Sequence, residues 1–115
     1  MNYKYILYAI LLFIFGQTIT WIQINGSILW PWAKQYKLLF LLLGIPVSWV
    51  FMEGTATAVN GFSGEFWPSR IISFASGIFV FSILTYVFKS EAITLKTAIS
   101  LLLALSIVLI QLFWK

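Results

Sequence analysis

Four long apolar runs, at about 5–24, 38–59, 69–88 and 93–114, are joined by short loops, and this spacing constrains the chain more than any other feature. Each run is close to the roughly 20 residues that a helix needs to cross the hydrocarbon core of a bilayer. Together they occupy most of the 115 residues and leave no room for a soluble domain. Within each run the apolar residues are continuous rather than alternating. That disfavours a β-barrel, the other architecture that satisfies its backbone in lipid. The expected fold class is an all-α membrane protein, a four-transmembrane-helix bundle built as a single domain over 1–115.

Composition narrows the function classes. Residues of the apolar set make up 62% of the chain and charged residues 9%, whereas a soluble domain is about half apolar and about a quarter charged. A disordered tail or a nucleic-acid-binding arm would need the opposite balance. The net charge of +4 arises from Lys4, Lys34, Lys37, Arg70, Lys89, Lys96 and Lys115 against Glu53, Glu65 and Glu91. Most of these flank the apolar runs, the arrangement of residues that meet lipid headgroups. Trp30, Trp32 and Trp67 fall in the predicted loops and Trp114 at the end of the last run, as in an aromatic belt. With no Cys and no His, thiolate nucleophiles, disulfides and His-based metal sites are excluded. No P-loop, dinucleotide fingerprint or acidic cluster is present, so the sequence predicts no enzyme, no cofactor and no metal site.

The breaks between runs carry further signals. The first run follows Lys4 and ends in Gln23, Asn25, Gly26 and Ser27; no small-x-small cleavage pattern follows it, and it reads as a retained helix rather than a signal peptide. Pro46 in the second run lacks an N–H and crowds the carbonyl of Leu42, which predicts a kink near the membrane centre. Pro68 occupies a first-turn position of the third run. Only Lys89-Ser90-Glu91-Ala92 separates the third run from the fourth, so these two form an antiparallel hairpin. Ile28-Leu29-Trp30-Pro31-Trp32 is apolar but too short to cross, and is expected along the interface. With the N-terminus inside, three basic residues lie on the cytoplasmic side and four opposite. That balance leaves absolute orientation open and is compatible with insertion both ways.

Polar side chains inside spans mark function by default. Glu53 is the one acidic residue within a run. Helical spacing aligns Trp49, Glu53, Thr57 and Asn60 on one face and Gly54, Ala58 and Gly61 on its neighbour. The sequence predicts that the polar face looks into the bundle. A carboxyl buried there would hold its proton until a cationic solute arrived, with Trp49 adding a cation–π face. Together with Gln17 of the first run, Glu53, Trp49, Thr57 and Asn60 form the candidate substrate-binding or coupling set. The competing reading places Glu53 in interfacial water or in a pair with Arg70. Gly16, Thr20 and Gln23 read as interhelical glue. The Gly54/Ala58/Gly61 and Ser69/Ser73/Ser76 stripes, the latter beside Gly77, read as close-packing surfaces for a two-fold homodimer. Thr97, Ser100, Ala104 and Gln111 give the fourth run the look of a packing or dimerisation helix.

Four short spans, the tight third connection and the balanced loop charge resemble the small members of the drug/metabolite transporter superfamily, of which the small multidrug resistance proteins are a four-helix branch. The segment from Lys89 to Lys96 looks like the polar turn with which such proteins enter their last helix. Ser48-Trp49 followed by Glu53 and Asn60 is similar to a second-helix pattern in small relatives. One departure is decisive for mechanism. The multidrug branch has an essential glutamate in its first helix, and here that stretch reads Ile10-Leu11-Leu12-Phe13-Ile14-Phe15-Gly16-Gln17, so drug/proton exchange does not carry over and Glu53 would be a substitute. The resemblance implies a multi-pass protein of the cell (inner) membrane. It would move a small organic or lipid-linked solute, with the bilayer and a second copy as partners; proton coupling through Glu53 is the expectation of the buried-carboxyl reading alone. The alternatives are a non-transporting accessory or structural subunit, or a small channel subunit.

Overall fold

A computed structural model describes residues 2–91 and 93–114. Helix α1 covers Tyr3–Leu29, a short 3-10 turn Pro31–Lys34, α2 Lys37–Leu42, α3 Gly44–Gly61, α4 Phe66–Leu84 and α5 Leu95–Phe113. Helices α2 and α3 are two parts of one span, Lys37–Gly61, and α4 is prolonged by a π-helical turn, Thr85–Lys89. Among the described residues, four helical stretches are thus long and apolar enough to cross a membrane, which makes this an integral, multi-pass, all-α membrane protein.

At 27 residues, α1 spans about 40 Å at 1.5 Å per residue, more than a hydrocarbon core of about 30 Å. It runs to Leu29, beyond the polar residues expected to end it. Those residues are satisfied inside the helix or by its neighbour: Asn25 Nδ2 donates to the Trp21 carbonyl, and Gln23 Nε2 donates to the Phe40 carbonyl at 2.9 Å. Asn2 starts the helix, its side chain accepting from the Lys4 N–H while its own N–H donates to the Gly61 carbonyl at 2.7 Å. The Ile28–Trp32 segment is therefore divided between the end of α1 and the 3-10 turn.

The second span breaks at Leu43, three residues before Pro46, because the proline leaves the Leu42 carbonyl without its helical donor. The break lies about 9 Å from the Lys37 end at helical rise, about halfway between that end and the membrane centre where the sequence predicted it. Helix α4 starts at Phe66, so Trp67 and Pro68 belong to its first turn, where a missing N–H costs nothing. The α3–α4 turn needs left-handed backbone at Ser63 and Gly64; Gly64, at φ +90°, donates to the Val59 carbonyl. Thr94 caps α5 by accepting from the Thr97 N–H.

α1 is the central helix, packed on both α3 and α4, whereas α3 and α4 touch each other less. Small residues set this arrangement. A Cβ on Gly54 would stand 2.9 Å from the Phe13 ring, and one on Gly61 would stand 2.8 Å from Ile6 and 3.1 Å from its backbone nitrogen. These glycines admit α1 at close range, and the core forms where they do, from Ile6, Ala9, Phe13, Ala58, Phe62 and Ile72. In lipid such contact area, rather than release of water, drives helix association. The Gly54/Ala58/Gly61 stripe and Ser69, Ser73 and Ser76 are all buried within the single chain. They are not the free dimer surfaces that the sequence predicted.

α5 packs on α4 and reaches the core through Leu112. Among its described residues only Ala104 is buried, which leaves most of its leucines and isoleucines facing outward. The end of α5 lies beside the α3–α4 turn, where Gln111, Leu112 and Trp114 line a pocket with Phe62, Glu65 and Pro68. Asn2 bonds to the same end of α3, so the start of α1 and the end of α5 sit at one end of the bundle. At the opposite end, Trp30 stacks on Trp32 with centroids 6.0 Å apart, Phe88 contacts both Trp21 and Trp30, and Trp32 also meets Tyr36 and Phe40. This aromatic cluster ties the first connection to the π-helical turn, and Trp21 Nε1 adds a hydrogen bond to Thr85 Oγ1.

Candidate functional site

The polar face predicted to look inward looks outward. Glu53 and Asn60 are exposed, Trp49 is 61% exposed, and Thr57 spends its hydroxyl on the Glu53 carbonyl of its own helix. The cause is the neighbouring face of small residues. α1 approaches α3 most closely over Gly54 and Gly61, so packing turned the small-residue face inward and rotated the larger polar face to one side. At about 100° per residue, Glu53 and Trp49 fall on one flank of this ridge and Phe51, Thr55 and Val59 on the other, towards α4. Arg70 lines the α4 side with Thr55 and Val59, so the Glu53–Arg70 pair of the competing reading is not made among the described residues. The five residues proposed from sequence therefore do not form one site.

One of them does reach a polar cavity. Between α1, α3 and α4 lies a groove of about 550 Å³ lined by Gln17, Thr20, Phe51, Thr55, Val59, Phe66, Ser69, Arg70 and Ser73. α1 contributes Gln17 and Thr20, one turn apart. α4 contributes Ser69 and Arg70 in its first turns and Ser73 one turn deeper. At helical rise, Arg70 lies about 6 Å and Ser73 about 10 Å from the start of α4, so the groove runs from the headgroup level towards the middle of the membrane.

The hydroxyls distinguish this groove from ordinary packing. Thr20 Oγ1 and Ser69 Oγ are buried without a hydrogen-bond partner among the described residues, and both residues line it. Ser69 is only 2% exposed. By contrast, Thr18, Ser82, Ser100 and Ser106 each donate to the carbonyl four residues back, the usual resort of a hydroxyl in a membrane helix. An unmet polar atom in an apolar interior costs on the order of 1–3 kcal/mol, so two in one groove need a reason. Gln17 is shaped to the site by Gly77, where a Cβ would stand 2.9 Å from Gln17 Nε2.

A second, more apolar groove of about 620 Å³ adjoins it through Phe51, Thr55, Val59 and Phe66, and adds Met52, Ala56 and Asn60. Asn60 is thus the only other residue of the sequence-predicted set near the site, at its outer margin. Sequence reasoning assigned Arg70 to anchoring and Ser69 and Ser73 to packing, and overlooked Thr55. The signal that would have found them is Ser69-Arg70 followed one turn later by Ser73, a basic residue flanked by two hydroxyls in the first turns of the helix.

In comparisons with known proteins, no family model, no curated sequence and no solved structure matches this chain. Function must therefore be argued from the groove itself.

Proposed function

We propose that the protein is a small, non-enzymatic membrane transporter of the cell (inner) membrane, one that moves a small organic or lipid-linked solute through the α1/α3/α4 groove. The observation that carries this reading is the pair of unpartnered hydroxyls, Thr20 and Ser69, in one cavity with Gln17 and Arg70. A structural subunit whose polar groups serve only as glue would pair them across helices, as Trp21 and Thr85 do at the other end of the bundle. Unmet donors beside a cation are suited to a ligand that comes and goes. Glu53 lies outside this path, so the reading carries no coupling role for it.

The chain has no cysteine, and single thiols can report on the groove. Ser69→Cys and Ser73→Cys variants in sealed proteoliposomes, with orientation fixed by a label at position 2, are treated with a charged, membrane-impermeant thiosulfonate from each side in turn. Reaction from both sides is expected of a groove that opens alternately. Protection from both sides would mean sealed packing and would favour the accessory reading.

A further inference from the structure

Resting on that reading of the groove, we infer that its ligand is a phosphate-bearing anionic lipid, its head held by Arg70, Ser69 and Ser73 and its tail laid along Met52, Ala56 and Phe66. Every polar group at the shallow end can donate. The Arg70 guanidinium offers a planar fork of N–H groups that matches phosphate oxygens. The Ser69 hydroxyl is buried and unpartnered there, Ser73 lies one turn deeper, and Thr20 Oγ1 is a second unpartnered hydroxyl beyond it. A carboxylate would spend both oxygens on the Arg70 fork, whereas a phosphate has oxygens left for the Ser69 and Ser73 hydroxyls.

No carboxylate competes for Arg70 in this groove among the described residues. Glu65 lines a different pocket with Gln111 and Trp114, and Glu53 is on the far flank of α3. The partial positive charge at the start of the 19-residue helix α4 adds to the preference for an anion.

The adjoining cavity identifies the ligand as lipid-borne. It continues from the polar groove past Phe51 and Phe66 onto the outer surface between Met52 and Ala56, where Met52 is 71% exposed. In a bilayer that surface faces acyl chains. A head at Arg70 with its tail in this channel stays continuous with the leaflet, and a water-soluble phosphate would leave the channel unused.

Binding is measured without transport, by native mass spectrometry of the purified protein with phosphatidylglycerol, with diacylglycerol of the same chains, which lacks the phosphate, and with inorganic phosphate as competitor. The wild type is expected to prefer phosphatidylglycerol by about tenfold, the scale of one charge-assisted contact. Arg70→Gln should abolish the preference, Arg70→Lys should retain part of it, and Ser69→Ala should weaken it. Lys34→Gln with Lys37→Gln, at the opposite end of the bundle, should leave it unchanged. Arg70 is exposed and Ser69 is unpartnered, so neither substitution removes a structural contact. Equal binding of the two lipids, a preference that survives Arg70→Gln, or loss of it in the Lys34/Lys37 variant would each overturn the assignment. Competition by millimolar inorganic phosphate would overturn its lipid-borne part. Selective binding with both thiols protected would sink the transport reading alone, and labelled thiols without lipid selectivity would sink this inference alone.

Discussion

The side-chain amide of Gln17 lies over Gly77, so close that a Cβ on the glycine would stand 2.9 Å from Nε2. One residue of α4 thereby sets how far a polar side chain of α1 leans into the groove. The same clearance recurs at Gly61, but there the atoms in the way include the backbone nitrogen of Ile6 at 3.1 Å and the backbone oxygen of Asn2 at 3.3 Å. An amide at the end of a flexible chain can move aside; a helix backbone cannot.

Gly77→Ala should therefore cost less than about 1 kcal/mol, while Gly61→Ala should cost about 1–3 kcal/mol, the range for overpacking a filled interior. Thermal unfolding of both variants in the same detergent checks this. Equal losses, or a greater loss at Gly77, would mean that the Asn2–Gly61 contact is not close-packed.

Glu53→Gln should leave stability unchanged or raise it. A charged side chain at the middle of a span costs about 2.5–3.5 kcal/mol on insertion scales and less towards its ends, and Glu53, past the middle, faces outward with no ion pair among the described residues. The amide is nearly isosteric and cheaper to hold in lipid. A drop of several degrees in the melting temperature would show that the carboxylate is paired after all.

Trp21 and Thr85 form the one side-chain hydrogen bond between α1 and the π-helical turn among the described residues, at 3.2 Å. A double-mutant cycle with Trp21→Phe and Thr85→Val isolates it. The coupling should be close to the average of about 0.6 kcal/mol for interhelical bonds in membranes. A cycle that closes to zero would mean that the aromatic stack alone holds this end.

Both ends of the chain should face the same side of the membrane. With cysteines at Tyr3 and Phe113, both exposed, an impermeant label added outside sealed vesicles should modify both thiols of a molecule or neither. A cysteine at Ser90 should show the opposite pattern. Singly labelled Tyr3/Phe113 molecules would contradict four crossings.

The spans and the break near Pro46 were legible in the sequence, because apolar run length and a missing N–H act locally. The inward face of the second span was not. Polarity favoured Trp49, Glu53, Thr57 and Asn60, and residue size favoured Gly54, Ala58 and Gly61; only the partner helix decides, and α1 supplies Phe13 and Ile6 to fill the space over the glycines. The site was missed for a related reason. Ser69 and Ser73 have the size of packing residues and the chemistry of ligand donors, and whether a hydroxyl finds a partner depends on where α1 places Thr20 and Gln17.

Translocation of a fluorescent phosphatidylglycerol across sealed proteoliposomes, followed by quenching the outer leaflet with dithionite, brings these strands together. The wild-type protein should raise the quenched fraction above the half seen in protein-free vesicles, Glu53→Gln should match it, and Arg70→Gln should return it to the protein-free level. A wild-type trace that coincides with protein-free vesicles, or an Arg70→Gln trace that coincides with wild type, would contradict transport through the α1/α3/α4 groove.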